Sequence, residues 1–157
     1  MSRLYQEKHL VPLLFSADIN AGIDSDSFDM RNYHHATINV MYGPSYAGAN
    51  PSIVTLYMGA SAGTKTTIIT FPYVYTSGAI KAASADVMSA EATSAALSIA
   101  RATMVSRVLT IELDGAKVAP ATPWVTVQLG AEADAGECAV LAVLYPRYAY
   151  SNATCLA

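Results

Sequence analysis

The sequence alternates between apolar and polar residues with a period of two, and this pattern constrains the fold more than any other feature. Five runs show the alternation: residues 37–42, 53–58, 66–76, 107–113 and 124–129. Because successive side chains of a strand point to opposite faces, such runs are typical of half-buried strands. Turn-forming pairs lie between the runs: Gly43-Pro44, Asn50-Pro51, Ser77-Gly78 and Asp114-Gly115. The sequence therefore predicts an all-β fold, an antiparallel β-sandwich or jelly roll in a single domain spanning residues 1–157.

Two segments do not follow this alternation. Residues 79–104 are rich in Ala and Ser, and we expect a short helical turn or irregular insertion there, followed by an edge strand. Residues 93–100 also fit a strand. Residues 1–15 are apolar but lie outside the strand pattern, which indicates an N-terminal arm that grips a neighbouring molecule.

The run at residues 138–145 is apolar on both faces of the predicted strand. Such a strand must be central, and its second face must be covered either by a loop or by a neighbouring subunit. Charged residues make up 13% of the chain and hydrophobic residues 53%. Ordinary globular proteins are about 25% charged. This composition favours a homo-oligomer whose subunits cover much of the exterior.

Charge and hydropathy argue against two kinds of partner. With 9 basic and 12 acidic residues the net charge is −3, so no positive field is expected to attract nucleic acid. The apolar runs are much shorter than the ~20 residues of a membrane-spanning helix, and the apolar stretch at residues 10–15 is poor for a signal peptide. Without a sign of an oxidising compartment, we expect Cys138 and Cys155 to be free thiols.

Residues 59–66 partly match two sequence signatures, one of a catalytic serine and one of a nucleotide-binding loop. Gly59 to Gly63 fits the G-x-S-x-G pattern of a serine hydrolase around Ser61, and Gly63-Thr64-Lys65-Thr66 resembles the end of a phosphate-binding loop. Both devices need a helix directly after the glycines. The β-branched residues that follow instead predict a turn between two strands, so we do not expect an enzyme.

Neither the histidines nor the acidic cluster predicts a metal site. His34 and His35 are adjacent and would point to opposite faces of a strand, which makes joint binding with His9 unfavourable. Asp24, Asp26 and Asp29 lack the glycine and glutamate of a calcium loop, and a solvated turn is expected. The sequence predicts no metal and no cofactor.

Tyrosines are the dominant aromatic residues, 10 against 3 phenylalanines and 1 tryptophan. Eight of them fit either a sugar-stacking platform or a set of subunit contacts: Tyr42, Tyr46, Tyr57, Tyr73, Tyr75, Tyr145, Tyr148 and Tyr150. Tyrosines that alternate along strands are more typical of sheet packing and interfaces.

The order of several segments resembles a known group of proteins. The segments are residues 108–115, residues 123–129, the apolar run ending in Tyr145-Pro146-Arg147-Tyr148, and Asp29-Met30-Arg31-Asn32-Tyr33 before the strand at 36–43. Together they resemble small β-rich auxiliary virion proteins of tailed bacteriophages, especially those that decorate the head.

This resemblance implies a capsid decoration, or cement, protein that forms a homo-oligomer, commonly a trimer, on the major capsid protein. It implies no catalytic residues, and a location in the virion after assembly in the host cytoplasm. We predict Arg147, Tyr148 and Tyr150 as interface residues. The alternatives are a head-tail connector, a tail or head-fibre component, or a carbohydrate-binding β-sandwich module.

Overall fold

A computed structural model describes residues 8–19, 22–44, 51–130, 136–147 and 155–156. Over these residues the chain forms twelve strands, one short α-helix and one 3-10 turn at Gly115–Lys117. The elements are β1 (His9–Asp18), β2 (Ile23–Asp24), β3 (Phe28–Asp29), β4 (Tyr33–Tyr42), β5 (Pro51–Gly59), β6 (Thr67–Ile69), β7 (Phe71–Tyr75), β8 (Ala92–Ser94), β9 (Ala96–Ala100), α1 (Arg101–Met104), β10 (Val108–Asp114), β11 (Trp124–Leu129) and β12 (Glu137–Pro146).

The strands form two antiparallel sheets that enclose one hydrophobic core. The first sheet has the order β1-β12-β4-β10-β7-β8. The second sheet has the order β2-β11-β5-β6, with β3 also paired to β11 and β9 also paired to β5. The predicted antiparallel β-sandwich is confirmed. The core-facing residues of the predicted runs are buried as expected, for example Ile38, Val40 and Tyr42 on β4.

The predicted strand at residues 66–76 is wrong in one respect, because the structure divides it between the two sheets. β6 pairs with β5 in the second sheet, whereas β7 pairs with β10 in the first. Ile69 and Phe71, on either side of the crossing at Thr70, are both buried. Periodicity reports which side chains face the core, and the core lies between the sheets. The alternation therefore continues unbroken while the chain changes sheet.

The apolar run at residues 138–145 lies in β12, which is a central strand as predicted. β12 pairs along its length with β1 on one side and with β4 on the other. Cys138, Val140, Ala142 and Leu144 are buried in the core. The residues between them face away from the core and are half-buried.

Strand β1 is the main element that the sequence did not predict. Residues 9–15, which were expected to belong to an arm outside the strands, are part of this strand, and β1 pairs with β12 at the edge of the first sheet. The pairing shifts register between Pro12 and Leu14 and again between Leu14 and Ala17. On the open side of β1, the Leu13 carbonyl accepts a hydrogen bond from the Asp26 N–H at 2.9 Å.

The Ala- and Ser-rich segment at residues 79–104 is an irregular stretch followed by edge strands, as predicted. Turns occupy its first part, β8 and β9 follow, and the helix α1 comes last. The helix therefore lies after the strands, whereas the sequence analysis expected any helical turn to precede the edge strand. In the described part of the chain, no helix has the length and apolar character needed to cross a bilayer.

Candidate interaction surface

The outer face of the first sheet carries an apolar surface formed by β1, β12 and the end of β4. We call this surface the outer stripe. Its members face away from the core because they alternate with buried residues: Leu10, Pro12, Met41, Ala139, Leu141 and Val143. Leu10 is 41% exposed and Met41 is 39% exposed. The structure thus presents apolar side chains on a sheet face that in most antiparallel sheets is polar.

Cross-strand pairing places the apolar residues of the outer stripe beside one another. Val143 of β12 pairs with Leu10 of β1 on one side and with Thr37 of β4 on the other. In the adjacent row Leu141 lies between Pro12 and Asn39. The face is therefore apolar on β1 and β12 and becomes polar on β4.

A polar cluster closes one end of the outer stripe around Tyr145. The Glu112 carboxylate accepts hydrogen bonds from Thr37 Oγ1 at 2.9 Å and pairs with His35 Nε2 at 2.5 Å. The His35 ring meets the Tyr145 ring edge-on, with 5.2 Å between centroids. Lys8 Nζ lies 3.7 Å from the centroid of the same tyrosine ring, in the geometry of a cation–π contact.

Phe15 adds a further apolar group on β1. Its side chain is 90% exposed, the highest value among the large hydrophobic residues of the described segments. It lies between two paired positions, Leu14 and Ala17, where the register of β1 shifts. An aromatic ring in this position contributes nothing to the core and is available for contact with another molecule.

One of the three predicted interface residues lies within the described residues. Arg147 follows β12 directly; its N–H donates to the Asn32 carbonyl and its Nε donates to the Tyr33 carbonyl, both at 2.9 Å. The side chain is exposed. The other two predicted residues, Tyr148 and Tyr150, lie outside the described residues.

The segment that resembled a nucleophile elbow is the turn of a hairpin between β5 and β6. Thr64 closes this turn, because its N–H donates to the Ser61 carbonyl at 3.1 Å and its Oγ1 accepts from the Ser61 N–H at 3.1 Å. Gly63 has a positive φ of 76°. A strand, β6, follows the glycines where an elbow or phosphate loop has a helix. The predicted turn between two strands is confirmed.

Four of the histidines and aspartates named in the sequence analysis each have a separate partner. His9 Nδ1 lies 2.6 Å from the Tyr33 hydroxyl, whereas His35 pairs with Glu112 as described above. Asp24 is paired with Lys65 at 2.7 Å, and Asp29 with Arg31 at 2.5 Å. Within the described segments, no group of three His, Cys, Asp or Glu residues is arranged to hold a metal ion.

The described tyrosines do not form one platform. Tyr42 is buried, and Tyr73 and Tyr75 pack against the core, whereas Tyr57 and Tyr145 lie on outer faces of different sheets. Sheet packing therefore accounts for most of these rings. Tyr46, like Tyr148 and Tyr150, lies outside the described residues.

Both cysteines are buried, free thiols, as predicted. Burial raises the pKa of the Cys138 thiol to about 12 and also raises the pKa of Cys155. A neutral, inaccessible thiol is a packing group, and neither cysteine belongs to the surface described here.

Comparison with known proteins identifies a shared fold. No protein-family model matches the chain, and no curated protein matches it. The crystal structure of the SPBc2 prophage-derived protein YomS is similar, with a TM-score of 0.53 and 10% sequence identity over 88% of this chain and 92% of that chain. At this identity the similarity shows that the two proteins have the same fold.

The sequence analysis found one half of the outer stripe and missed the other. The two-faced apolar run predicted that the second face of β12 needs a cover. The contribution of β1 was missed because Pro12 and the two register shifts interrupt its alternation. That Leu10 and Pro12 belong to the outer stripe follows only from their cross-strand pairing with Val143 and Leu141.

Proposed function

We propose that this chain is a structural virion protein of a tailed bacteriophage, a capsid decoration protein that forms a homo-oligomer on the major capsid protein and stabilises the head. The observation that carries the proposal is the outer stripe, an apolar face on the central strand β12 and its neighbour β1. The fold shared with a prophage-derived protein supports a phage origin. No catalytic step is part of the proposal.

In this proposal the outer stripe is the contact between copies of the chain. Leu10 and Met41 would be buried in the oligomer, together with the half-buried Leu141 and Val143 beside them. Each Å² of apolar surface removed from water contributes about 25 cal/mol. The polar groups of β4 beside the stripe would form the rim, which suits an interface with an apolar centre.

Binding to the capsid would follow from this association. An oligomer presents several identical binding surfaces at once, so weak contacts to the major capsid protein combine into strong attachment. A trimer matches the local three-fold positions of a capsid lattice. The role is mechanical, since a bridge across neighbouring capsid subunits opposes the pressure of packaged DNA.

The first test is association in solution. Sedimentation equilibrium of the purified chain is expected to show a stable oligomer rather than a 16.5 kDa monomer. The double variant Leu10→Thr/Met41→Thr is expected to shift the equilibrium towards the monomer. The variant Ile68→Thr, at a residue that is 48% exposed on β6, is the matched control and should leave association unchanged. A monomeric wild-type chain, or equal behaviour of all three proteins, would contradict the assigned contact.

The second test is location in the particle. The protein is expected to copurify with intact phage heads in a copy number proportional to that of the major capsid protein. A copy number of only one ring per particle would assign a connector or tail role. Saturable binding to glycans with no association with particles would instead favour a carbohydrate-binding module.

A further inference from the structure

A small cavity at one end of the sandwich combines an apolar floor with two arginines. The cavity has a volume of about 210 Å³, and its residues come from three separate parts of the chain. Met30, Val118 and Pro123 form the buried part of its wall. Arg31 and Arg147 lie at its exposed rim.

Hydrogen bonds between the wall segments fix the shape of this cavity. The Met30 N–H donates to the Pro123 carbonyl at 3.0 Å, which joins the turn before β4 to the loop before β11. The Arg147 N–H donates to the Asn32 carbonyl at 2.9 Å and attaches the third segment, and the Val118 N–H donates to the Gly115 carbonyl at 3.2 Å, which closes the 3-10 turn within its own segment. A site that is formed before binding loses little conformational entropy when a ligand enters.

The two arginines differ in how their charge is compensated. Arg31 donates from Nε to the Asp29 carboxylate at 2.7 Å, and this hydrogen bond, with the attraction of the charge, raises the pKa of its guanidinium. Arg147 makes its side-chain hydrogen bond to a backbone carbonyl, that of Tyr33. That bond holds the guanidinium in place but leaves its positive charge without a carboxylate among the described residues.

The Tyr33 bond also determines which part of Arg147 can bind a ligand. It occupies Nε, so the two terminal amino groups remain to form a fork. A planar fork of this kind matches the two oxygens of a carboxylate and binds them through paired, charge-assisted hydrogen bonds. The single uncompensated charge beside an apolar floor does not suit the repeated phosphates of a nucleic acid.

The volume of the cavity defines the size of the ligand. Pockets for small molecules typically measure about 300–1,000 Å³. A cavity of about 210 Å³ suits one or two amino-acid side chains. An acidic side chain with its methylene groups would place carbon against Met30 and Val118 and its carboxylate at the rim.

We infer that this cavity binds a glutamate side chain of a partner protein, with Arg147 as the residue that recognises the carboxylate. The inference rests on the proposed function, because it takes the partner to be the major capsid protein on which the oligomer docks. It adds a specific charged contact to that docking. The outer stripe and the cavity would then serve different partners, a second copy and the capsid.

A peptide titration followed by NMR tests the inference on the full chain. The probe is the blocked peptide acetyl-Ala-Glu-Ala-amide, and the matched control peptide has Gln in place of Glu. We expect saturable shifts of the backbone amides of Gly115 and Val118 and of the Arg147 Nε–H. The Gln peptide is expected to bind at least tenfold more weakly.

Variants of the chain assign the carboxylate contact. Arg147→Gln is expected to weaken binding of the Glu peptide at least tenfold, and Arg147→Lys, which keeps the charge but loses the fork, several-fold. Lys65→Gln, which removes a positive charge outside the cavity lining, is the matched control and should bind like the wild type. If Arg147→Gln fails to fold, Arg147→Lys still provides the comparison.

Three results would overturn the inference: equal binding of the Glu and Gln peptides, unchanged binding to the folded Arg147 variants, or inorganic phosphate shifting the same resonances at equal or lower concentration. The last result would make the cavity a site for free anions. Failure of the peptide titration with normal association in solution and on particles would reject this site alone. Loss of particle association would reject the proposed function itself.

Discussion

The hydroxyl of Ser27 lies 2.7 Å from the hydroxyl of Thr126, although the two residues are 99 positions apart in the chain. Both side chains are buried. Ser27 Oγ also accepts a hydrogen bond from the Gly63 N–H at 2.9 Å. One serine therefore joins the segment before β3, strand β11 and the hairpin turn between β5 and β6.

Replacing this serine is expected to destabilise the second sheet. Ser27→Ala leaves the Gly63 N–H and the Thr126 hydroxyl without this partner, and a buried polar group without a partner costs about 1–3 kcal/mol. Urea unfolding measures the loss in the free energy of unfolding. Ser25→Ala is the comparison variant. It loses one bond to another segment, which the Ser25 Oγ accepts from the Val127 N–H, whereas Ser27→Ala loses two. A smaller loss for Ser27→Ala than for Ser25→Ala would contradict the joining role.

Substitution by alanine should have a large effect on stability at Gly59 and a small effect at Ser61. A Cβ on Gly59 would lie 2.1 Å from the backbone oxygen of Thr64, so Gly59→Ala must displace the hairpin turn. Ser61 is exposed, and substitutions at such positions usually change stability by less than about 0.5 kcal/mol. We expect Gly59→Ala to cost several times more than Ser61→Ala in thermal unfolding. Equal losses of thermal stability in the two variants would show that the hairpin turn accommodates a Cβ at position 59.

The stability of the protein should fall in alkaline solution because of Cys138. Burial raises the pKa of this thiol from its ordinary value of 9.0 to about 12, so between these values the unfolded chain loses a proton that the folded chain keeps. The free energy of unfolding is therefore unaffected by this thiol below about pH 9 and decreases above it, by up to about 1.4 kcal/mol per pH unit.

Comparison with Cys138→Ala isolates this contribution from the other groups that titrate at high pH. The variant is expected to lose stability less steeply than the wild type between pH 9 and pH 10.5 in urea unfolding. If the free energy of unfolding depended on pH equally in the two proteins, burial would not raise the pKa of the Cys138 thiol in the folded chain. Cys155, whose pKa burial also raises, contributes in the same direction in both proteins.

Substitution of two valines of β12, one in the core and one in the outer stripe, should affect stability differently. Val140 is buried in the core, whereas Val143 faces outwards and is half-buried. At low protein concentration Val140→Ala is expected to destabilise the chain more than Val143→Ala, because it leaves a cavity in the core. At high concentration the cost of Val143→Ala should increase, since the proposed oligomerisation would stabilise the wild type by mass action. A cost of Val143→Ala that is independent of concentration would argue against the stripe as a contact between copies.

The sequence predicted the fold class because its signal is local. The alternation along β4, β5, β10 and β11 identifies the core-facing side chains directly. The division at Thr70 was not predictable from this signal, since both Ile69 and Phe71 face the same core from different sheets. The change of sheet depends on which strands pair, and pairing is a long-range property of the chain.

The candidate sites were predictable only in part for the same reason. The position of Arg147 after the last strong strand is visible in the sequence, whereas its place at the rim of the cavity is visible only in the structure. Its association with Met30 and Val118 arises from three turns that are distant in sequence. Likewise, no local pattern places Leu10 beside Val143.

The edge of β1 bears on how copies of this chain could meet in the proposed oligomer. Pro12 has no N–H to offer a further strand, the two register shifts make the edge irregular, and the Leu13 carbonyl is already bonded to Asp26. An open, regular edge would allow strand after strand to add and would lead towards fibres. Because this edge is blocked, a further strand cannot extend the first sheet regularly beyond β1, and in the proposed oligomer copies would meet through their faces and could close into a finite ring.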